Sequence, residues 1–289
     1  MIGPIVGQTA SYVKNSKEFV GQIRNEIVGE DQVMVSFDVK SLFTNVPLDE
    51  ALQVIRERLS SDDSLSERTG LPPDSLIRLL ELFVRSTHFT FQGQVYEQTE
   101  GAAMGSPVSP VVANIYMGHF EDQALTTAPN PPPIWKRYVD DIFCILKKGT
   151  IQRTLNHLNN IHPAIQFTVE VEKDGMLPFF DTQLQRGQEG TLDTTVFHKT
   201  THTDRYLQFE SHHPVHVKRG VVKSLFDRVQ AVILKEENMY EEKNHLENAL
   251  QDNGYPRPFI QRSLERQRAR WREATPPNHC DHFLYSQDK

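Results

Sequence analysis

The chain has 289 residues, 38% hydrophobic and 24% charged, enough to bury a substantial core in one large domain or two small ones. No apolar run approaches the roughly 20 residues of a membrane span, and the opening Met-Ile-Gly-Pro-Ile-Val lacks the basic start and long apolar core of a signal peptide. A formal charge of −7 argues against indiscriminate nucleic-acid binding, and the two cysteines, Cys144 and Cys280, exclude a disulfide framework and point to a reducing compartment.

In chain order, residues 11–28 read as a helix with Tyr12, Val13, Phe19, Val20, Ile23 and Ile27 on or near one face. Val33–Asp38 reads as a mostly apolar strand suited to the middle of a sheet. A helix is expected over Asp49–Leu59, a polar loop from Ser60 to Pro73, and a second helix over Asp74–Ser86 with Asp74 as its cap. Phe89–Tyr96 alternates around Gln92-Gly93 as a hairpin would. Ser106-Pro107 opens a helix to about Leu125, with Ser106 as cap and Pro107 at the first position. After a proline-rich loop over residues 128–133 comes a second hairpin, then a helix over Ile151–Ile161. Strands follow over Ile165–Val171, Leu177–Leu184 and Thr194–Lys199. Beyond Asp204 the pattern is helical, with breaks near Asn253-Gly254 and Pro276-Pro277. This is a mixed α+β body followed by a helical region.

The most telling stretch is Arg137-Tyr138-Val139-Asp140-Asp141-Ile142-Phe143, two adjacent carboxylates at the tip of an apolar hairpin. The strand ending at Asp38 supplies a third carboxylate about 100 residues earlier. An acid at the end of a buried strand is costly unless it meets a cation or leaves the apolar layer. Three carboxylates at one sheet edge repel one another and favour hard-cation binding. The competing reading is separate surface acids at strand ends.

Asp38-Val39-Lys40-Ser41-Leu42-Phe43-Thr44-Asn45-Val46-Pro47, then Gly101 to Pro110, then Tyr138-Val139-Asp140-Asp141 fall in the order of reverse-transcriptase motifs A, B and C. The wording of the first two, with Leu177-Pro178-Phe179-Phe180-Asp181 and the later run from His198 to Leu207, resembles the Penelope-like retroelement reverse transcriptases. The resemblance covers nearly the whole chain. It implies a polymerase right hand: an antiparallel palm sheet backed by the Leu52/Ile55 and Val112/Ile115/Tyr116 helices, with a helical thumb. On that reading residues 1–30 are a connector or residual fingers, 31–203 the palm, and 204–289 a thumb that is helix-turn-helix-like on one reading. Little precedes the motif A strand, so the β-rich fingers of family members are expected to be largely missing. The same holds for their C-terminal GIY-YIG endonuclease.

Position by position, the resemblance implies Asp38, Asp140 and Asp141 as catalytic metal ligands, with the Val39 carbonyl in one shell and Mg²⁺ (or Mn²⁺) as cofactor. Ser41, Leu42, Phe43, Met104 and Gly105 would line the nucleotide site. Phe43 would be the steric gate that rejects a 2′-hydroxyl, although a core aromatic at a strand–helix junction also fits. Met104 stands where many polymerases have Gln, which removes the amide hydrogen bonds, though Met is usual in the Penelope-like group. The implied partners are RNA template, DNA primer and deoxynucleoside triphosphates, with no membrane, and a nuclear location, otherwise cytoplasmic.

Lys199, Arg205, Lys218, Arg219, Arg262, Arg266 and Arg270 are expected to face nucleic-acid phosphates. The last three belong to a basic run, residues 257–272, which also reads as a solvated helix face. The histidines His198, His202, His212, His213 and His216, like the His279/His282 pair around Cys280, lack the paired-cysteine spacing of a zinc finger. A thumb surface near the primer backbone is the favoured reading of that stretch. The alternative to an active polymerase is a catalytically impaired remnant that binds nucleic acid or a protein partner.

Overall fold

Asn15 decides where the first helix begins. Its side chain accepts the Glu18 N–H at 2.9 Å, so α1 runs only over Ser16–Ile23, shorter than the helix expected from residue 11. The preceding residues are extended instead, because Tyr12 bridges to Arg137 in parallel and Val13 N–H donates to the Arg137 carbonyl at 2.8 Å. This computed structural model describes residues 2–274, with the side chains of residues 266–274 outside the description. The chain divides into two units, Met1–Phe197 and His198–Lys289.

In the first unit, β1 (Gln32–Val39) is followed by short α2 (Leu42–Asn45), then α3 (Leu48–Ser60). The expected polar loop holds a single turn of helix, α4 (Leu65–Arg68). Next comes α5 (Pro73–Arg85), where Pro72 occupies the cap position and Asp74 lies in the first turn, not at the cap as expected. The hairpin β2 (His88–Phe91) and β3 (Gln94–Glu97) turns at Gln92-Gly93, both with positive φ, the requirement of a type I′ turn. Helix α6 (Ser109–Thr127) starts two residues later than expected, with Pro110 in its first turn. Ser106 does not cap it, because that residue sits in a loop turn closed by its N–H on the Ala103 carbonyl.

Then come β4 (Ile134–Tyr138), β5 (Asp141–Lys147), α7 (Ile151–Ile161) and β6 (Phe167–Val171). The expected single strand over residues 177–184 is instead a third hairpin, β7 (Met176–Phe179) and β8 (Thr182–Arg186), joined in sheet to β9 (Leu192–Val196). Phe180 takes φ 55° at its turn, a conformation that a bulky residue does not advertise in sequence.

The central sheet has the order β4-β5-β1-β6 and every pairing is antiparallel. Alternation along β1 and β5 sends side chains to two covered faces. Val33, Val35, Phe37, Ile142, Cys144 and Leu146 meet α3, α5 and α6 through Leu52, Ile55, Leu80, Val112, Ile115 and Phe120. Met34, Phe143 and Ile145 meet Phe19, Val20 and Ile23 of α1 and Leu177, Phe179 and Leu184 of the small sheet. Burial on both faces explains the unbroken apolar runs of β1 and β5. The palm-like α+β architecture is therefore present, with the expected Leu52/Ile55 and Val112/Ile115/Tyr116 helices behind the sheet.

The second unit contains α8 (Val215–Val232), α9 (Glu236–Asp252) and α10 (Arg257–Ala274), packed through Val222, Phe226, Val229, Leu246, Leu250 and Ile260. Buried Asn253 fastens the loop before α8: its side chain donates to the Asp204 carbonyl at 2.7 Å and accepts the Tyr206 N–H at 2.9 Å. The break at Asn253-Gly254 falls where expected, with Gly254 at φ 83°. Among the described residues no helix is long and apolar enough to cross a membrane.

Candidate active site

The antiparallel register of β1 and β5 pairs Asp38 directly with Asp141, so their Cβ atoms stand about 5 Å apart. Val39 N–H donates to the Asp140 carbonyl at 3.2 Å, fastening the end of β1 to the turn between β4 and β5. Two segments a hundred residues apart thus bring three carboxylates to one end of the sheet. Asp38 and Asp141 line a cavity of 610 Å³ with Ser36, Thr168, Glu170 and Phe180. Phe180 stacks on Tyr138 at 3.8 Å between ring centroids, so the β7–β8 turn walls the tip of the acidic hairpin.

The electrostatics are those of crowded acids. Partial burial, then repulsion from Asp140, holds the Asp38 carboxyl above the ordinary carboxylate range. Asp140 is raised as well, chiefly by burial, against a lowering pull from its own backbone N–H and from Arg137. Oxygen-only donors that resist ionising together fit a hard divalent cation, which would relieve the repulsion.

The hairpin tip is held from inside the protein. Val139, first residue of the two-residue turn, has φ 55°, a position that in a type II′ turn normally takes glycine. Such a β-branched outlier costs of order 1–3 kcal/mol and persists only where its surroundings over-determine it. Here Arg137 supplies that restraint: its Nη1 donates to the Val139 carbonyl at 3.0 Å and to Asn114 Oδ1 at 2.9 Å. Arg137 Nε in turn lies 3.0 Å from Glu121 of α6, with both side chains 1% exposed. Glu121 also accepts from Trp135 Nε1 and Ser11 Oγ, each at 2.7 Å. No sequence motif marks this pair. The available signal was an ionisable residue, Glu121, inside an otherwise buried helix, since acids are almost never fully buried unless paired.

The residues expected at the nucleotide site come from two touching segments. Ala102 N–H donates to the Phe43 carbonyl at 2.6 Å. Gly101 has φ 65°, and a Cβ there would lie 2.4 Å from the Thr44 carbonyl group, so only glycine permits this approach. Ser41 is exposed with φ 50°. Phe43 is half-buried and packs on the helix-face core. Met104 is 70% exposed, and Gly105 is exposed beside it. Leu42 is different: at 1% exposure its side chain belongs to the core, leaving only its main chain for a ligand.

A profile of the family "Reverse transcriptase (RNA-dependent DNA polymerase)" matches residues 8–178, more than half of the 289. The chain belongs to the reverse transcriptase family. A second profile, "Animal helix-turn-helix domain", matches residues 205–265. Among solved structures, telomerase from Candida albicans with a fragment of telomeric RNA is similar over 88% of this chain and 44% of its own, at 10% identity and TM-score 0.58. Telomerase from Candida tropicalis with the corresponding RNA fragment matches 94% of this chain and 46% of its own, at 11% identity and TM-score 0.55. The RNA-dependent RNA polymerase of a human picobirnavirus matches 90% and 50%, at 10% identity and TM-score 0.55. At these identities the likeness is one of fold. The chain spans less than half the length of the telomerase structures it matches. A search of curated proteins finds no match.

In this reverse transcriptase the basic residues of the second unit divide by environment. Lys199, Arg205 and Arg262 are exposed. Arg219 is half-buried, 5.9 Å from the centroid of the Phe259 ring. Lys218 is committed inward: 8% exposed, it donates to the Ser211 carbonyl at 2.6 Å and lies over the Phe209 ring. Arg266 and Arg270 continue α10, and their side chains lie outside the described residues, as do Cys280 and the His279/His282 pair and the Pro276-Pro277 break.

Proposed function

We propose that this reverse transcriptase is the RNA-directed DNA polymerase core of a Penelope-like retroelement. It would add deoxynucleotides to a primer 3′-hydroxyl on an RNA template, acting in the nucleus. The observation that carries the reading is the register pairing Asp38 with Asp141, beside the Asp140 turn. Mg²⁺, or Mn²⁺, held by Asp38, Asp140, Asp141 and the Val39 carbonyl would neutralise charge on the attacking and leaving oxygens of nucleotidyl transfer. The carboxylates' own part is to place that charge at a cleft mouth whose turn is fixed by the Arg137–Glu121 pair. Phe43 would close the space beneath the sugar, and the Gly101–Gly105 loop would bring main chain to the base pair. Within this proposal residues 1–30 form a connector, 31–203 the palm and 204–289 the thumb. Lys199, Arg205 and Arg262 would contact phosphates.

The helix-turn-helix match over residues 205–265 favours a second reading, a nucleic-acid-binding module without polymerase turnover. Primer extension on an RNA template separates the two. Mg²⁺-dependent extension that Asp140→Ala lowers by at least about 100-fold supports the polymerase. Salt-dependent binding of an RNA–DNA duplex with no extension supports the binding module. Extension unaffected by Asp140→Ala removes the catalytic assignment.

A further inference from the structure

The second unit contains an imidazole cluster that nucleotidyl transfer does not use. His198, His202 and Asp204 each offer one ligand-type atom, and these atoms all lie within 4.8 Å of one another. From α9, His245 brings Nε2 to 3.0 Å from Asp204 Oδ1, the same oxygen that His202 Nε2 approaches at 2.9 Å. The rings crowd together, with centroids 5.1 Å apart for His198 and His202 and 5.4 Å for His198 and His245. Behind His198 stands Glu242, largely buried, its Oε1 2.9 Å from His198 Nε2.

We propose that His198, His202, Asp204 and His245 form a binding site for one zinc ion, with Glu242 orienting His198 from behind. Tetrahedral zinc with bonds of about 2.0–2.1 Å sets its ligand atoms about 3.3 Å apart. The ligand atoms of His198, His202 and Asp204 already lie within 4.8 Å of one another, and His245 Nε2 stands 3.0 Å from Asp204 Oδ1, so side-chain rotation is what would draw the fourth ligand in. Three imidazoles and one carboxylate suit zinc and disfavour magnesium, which takes oxygen ligands. A carboxylate on one ring nitrogen of a histidine fixes the tautomer and leaves the other nitrogen to coordinate. Glu242 and His198 stand in that relation.

The scaffold is formed in advance. Asp204 is held at φ 52°, a left-handed conformation, while buried Asn253 grips its carbonyl at 2.7 Å. The histidine spacing along the chain hides the site, because one ligand comes from α9, more than 40 residues after His202. The ion would staple the loop before α8 to α9 and brace the helical unit, whether or not the chain polymerises.

The test is a Co²⁺ titration of the metal-stripped full chain, with Co²⁺ as the spectroscopic stand-in for zinc. The visible absorption of four-coordinate Co²⁺ is expected to saturate at one equivalent and to vanish on adding Zn²⁺. His202→Gln and His245→Gln should lose it, while Asp38→Asn and Asp140→Asn should keep it, which separates this site from the acidic cleft. Glu242→Gln should weaken binding by about 10–100-fold. Absence of that absorption in the wild type, or its persistence in the double variant His202→Gln/His245→Gln, overturns the proposal. Should a variant misfold by circular dichroism, carbethoxylation of the wild type decides. Zn²⁺ is expected to protect His198, His202 and His245 but not exposed His212 and His213, and uniform labelling with and without Zn²⁺ overturns the site.

Discussion

Arg137 and Glu121 form an ion pair with both side chains 1% exposed, and the same guanidinium donates to the carbonyl of Val139, the residue before Asp140. The acidic turn is thus anchored to α6 from within the core. Removing one partner leaves an unpaired buried charge, at a cost of about 3–5 kcal/mol. Arg137→Met should therefore lower the urea midpoint strongly, and Arg137→Met/Glu121→Leu should recover part of the loss. Equilibrium unfolding of the four proteins of this cycle checks it. Equal stability of Arg137→Met and wild type would dismiss the anchor.

Crowding at the cleft predicts a pH dependence. Unfolded, Asp38 and Asp140 titrate near the ordinary value of about 3.9, and in the fold both hold their protons to higher pH. Between those values the native state binds more protons than the unfolded chain, so stability falls as pH rises through that window. Asp140→Asn removes its share of the repulsion. Metal-free thermal unfolding should then show a higher midpoint at neutral pH and a flatter profile just above the ordinary carboxylate range. A lower midpoint would mean that the acids are not crowded.

Much of this was legible because it is periodic or local. The apolar runs of β1 and β5, the Gln92-Gly93 turn and the order of the three motifs are all written in adjacent residues. What escaped depends on distant partners. Residues 11–13 share the apolar pattern of α1 but are drawn into extended structure by Arg137. Phe180 gives no sign of a turn, yet stacking on Tyr138 holds it in one. Motif position puts Leu42 at the nucleotide and charge puts Lys218 at phosphates, whereas packing turns both side chains inward. The His198 cluster needs α9 to be complete. Only a fold brings such groups together.

Phe43 gives a prediction about selectivity. If its ring closes the space under the sugar, Phe43→Ala should raise ribonucleotide incorporation relative to deoxynucleotide by about 10–100-fold, the scale of a lost steric contact. The same change should cost stability, since the ring packs on the core. Single-nucleotide incorporation with paired dNTP and rNTP checks it. An unchanged ratio with lowered stability would leave Phe43 as a core aromatic alone.

Lys218 and Arg262 should behave oppositely. Lys218→Met removes a buried donor from the Ser211 carbonyl and should lower thermal stability by about 1–3 kcal/mol, with the salt dependence of duplex binding retained. Exposed Arg262→Glu should leave stability nearly unchanged and reduce the salt slope by about one. Binding isotherms at several salt concentrations, read beside thermal melts, distinguish them. The reverse pattern would place Lys218 at the nucleic acid.

The central claim is that Asp38 and Asp140 share bound divalent ions although a hundred residues separate them. Mn²⁺ binding followed by electron paramagnetic resonance on the full chain tests it directly, with His202→Gln/His245→Gln as background so that only the acidic cleft contributes. The account predicts bound Mn²⁺ in that background and its loss on adding either Asp38→Asn or Asp140→Asn. Undiminished binding in both variants would contradict it.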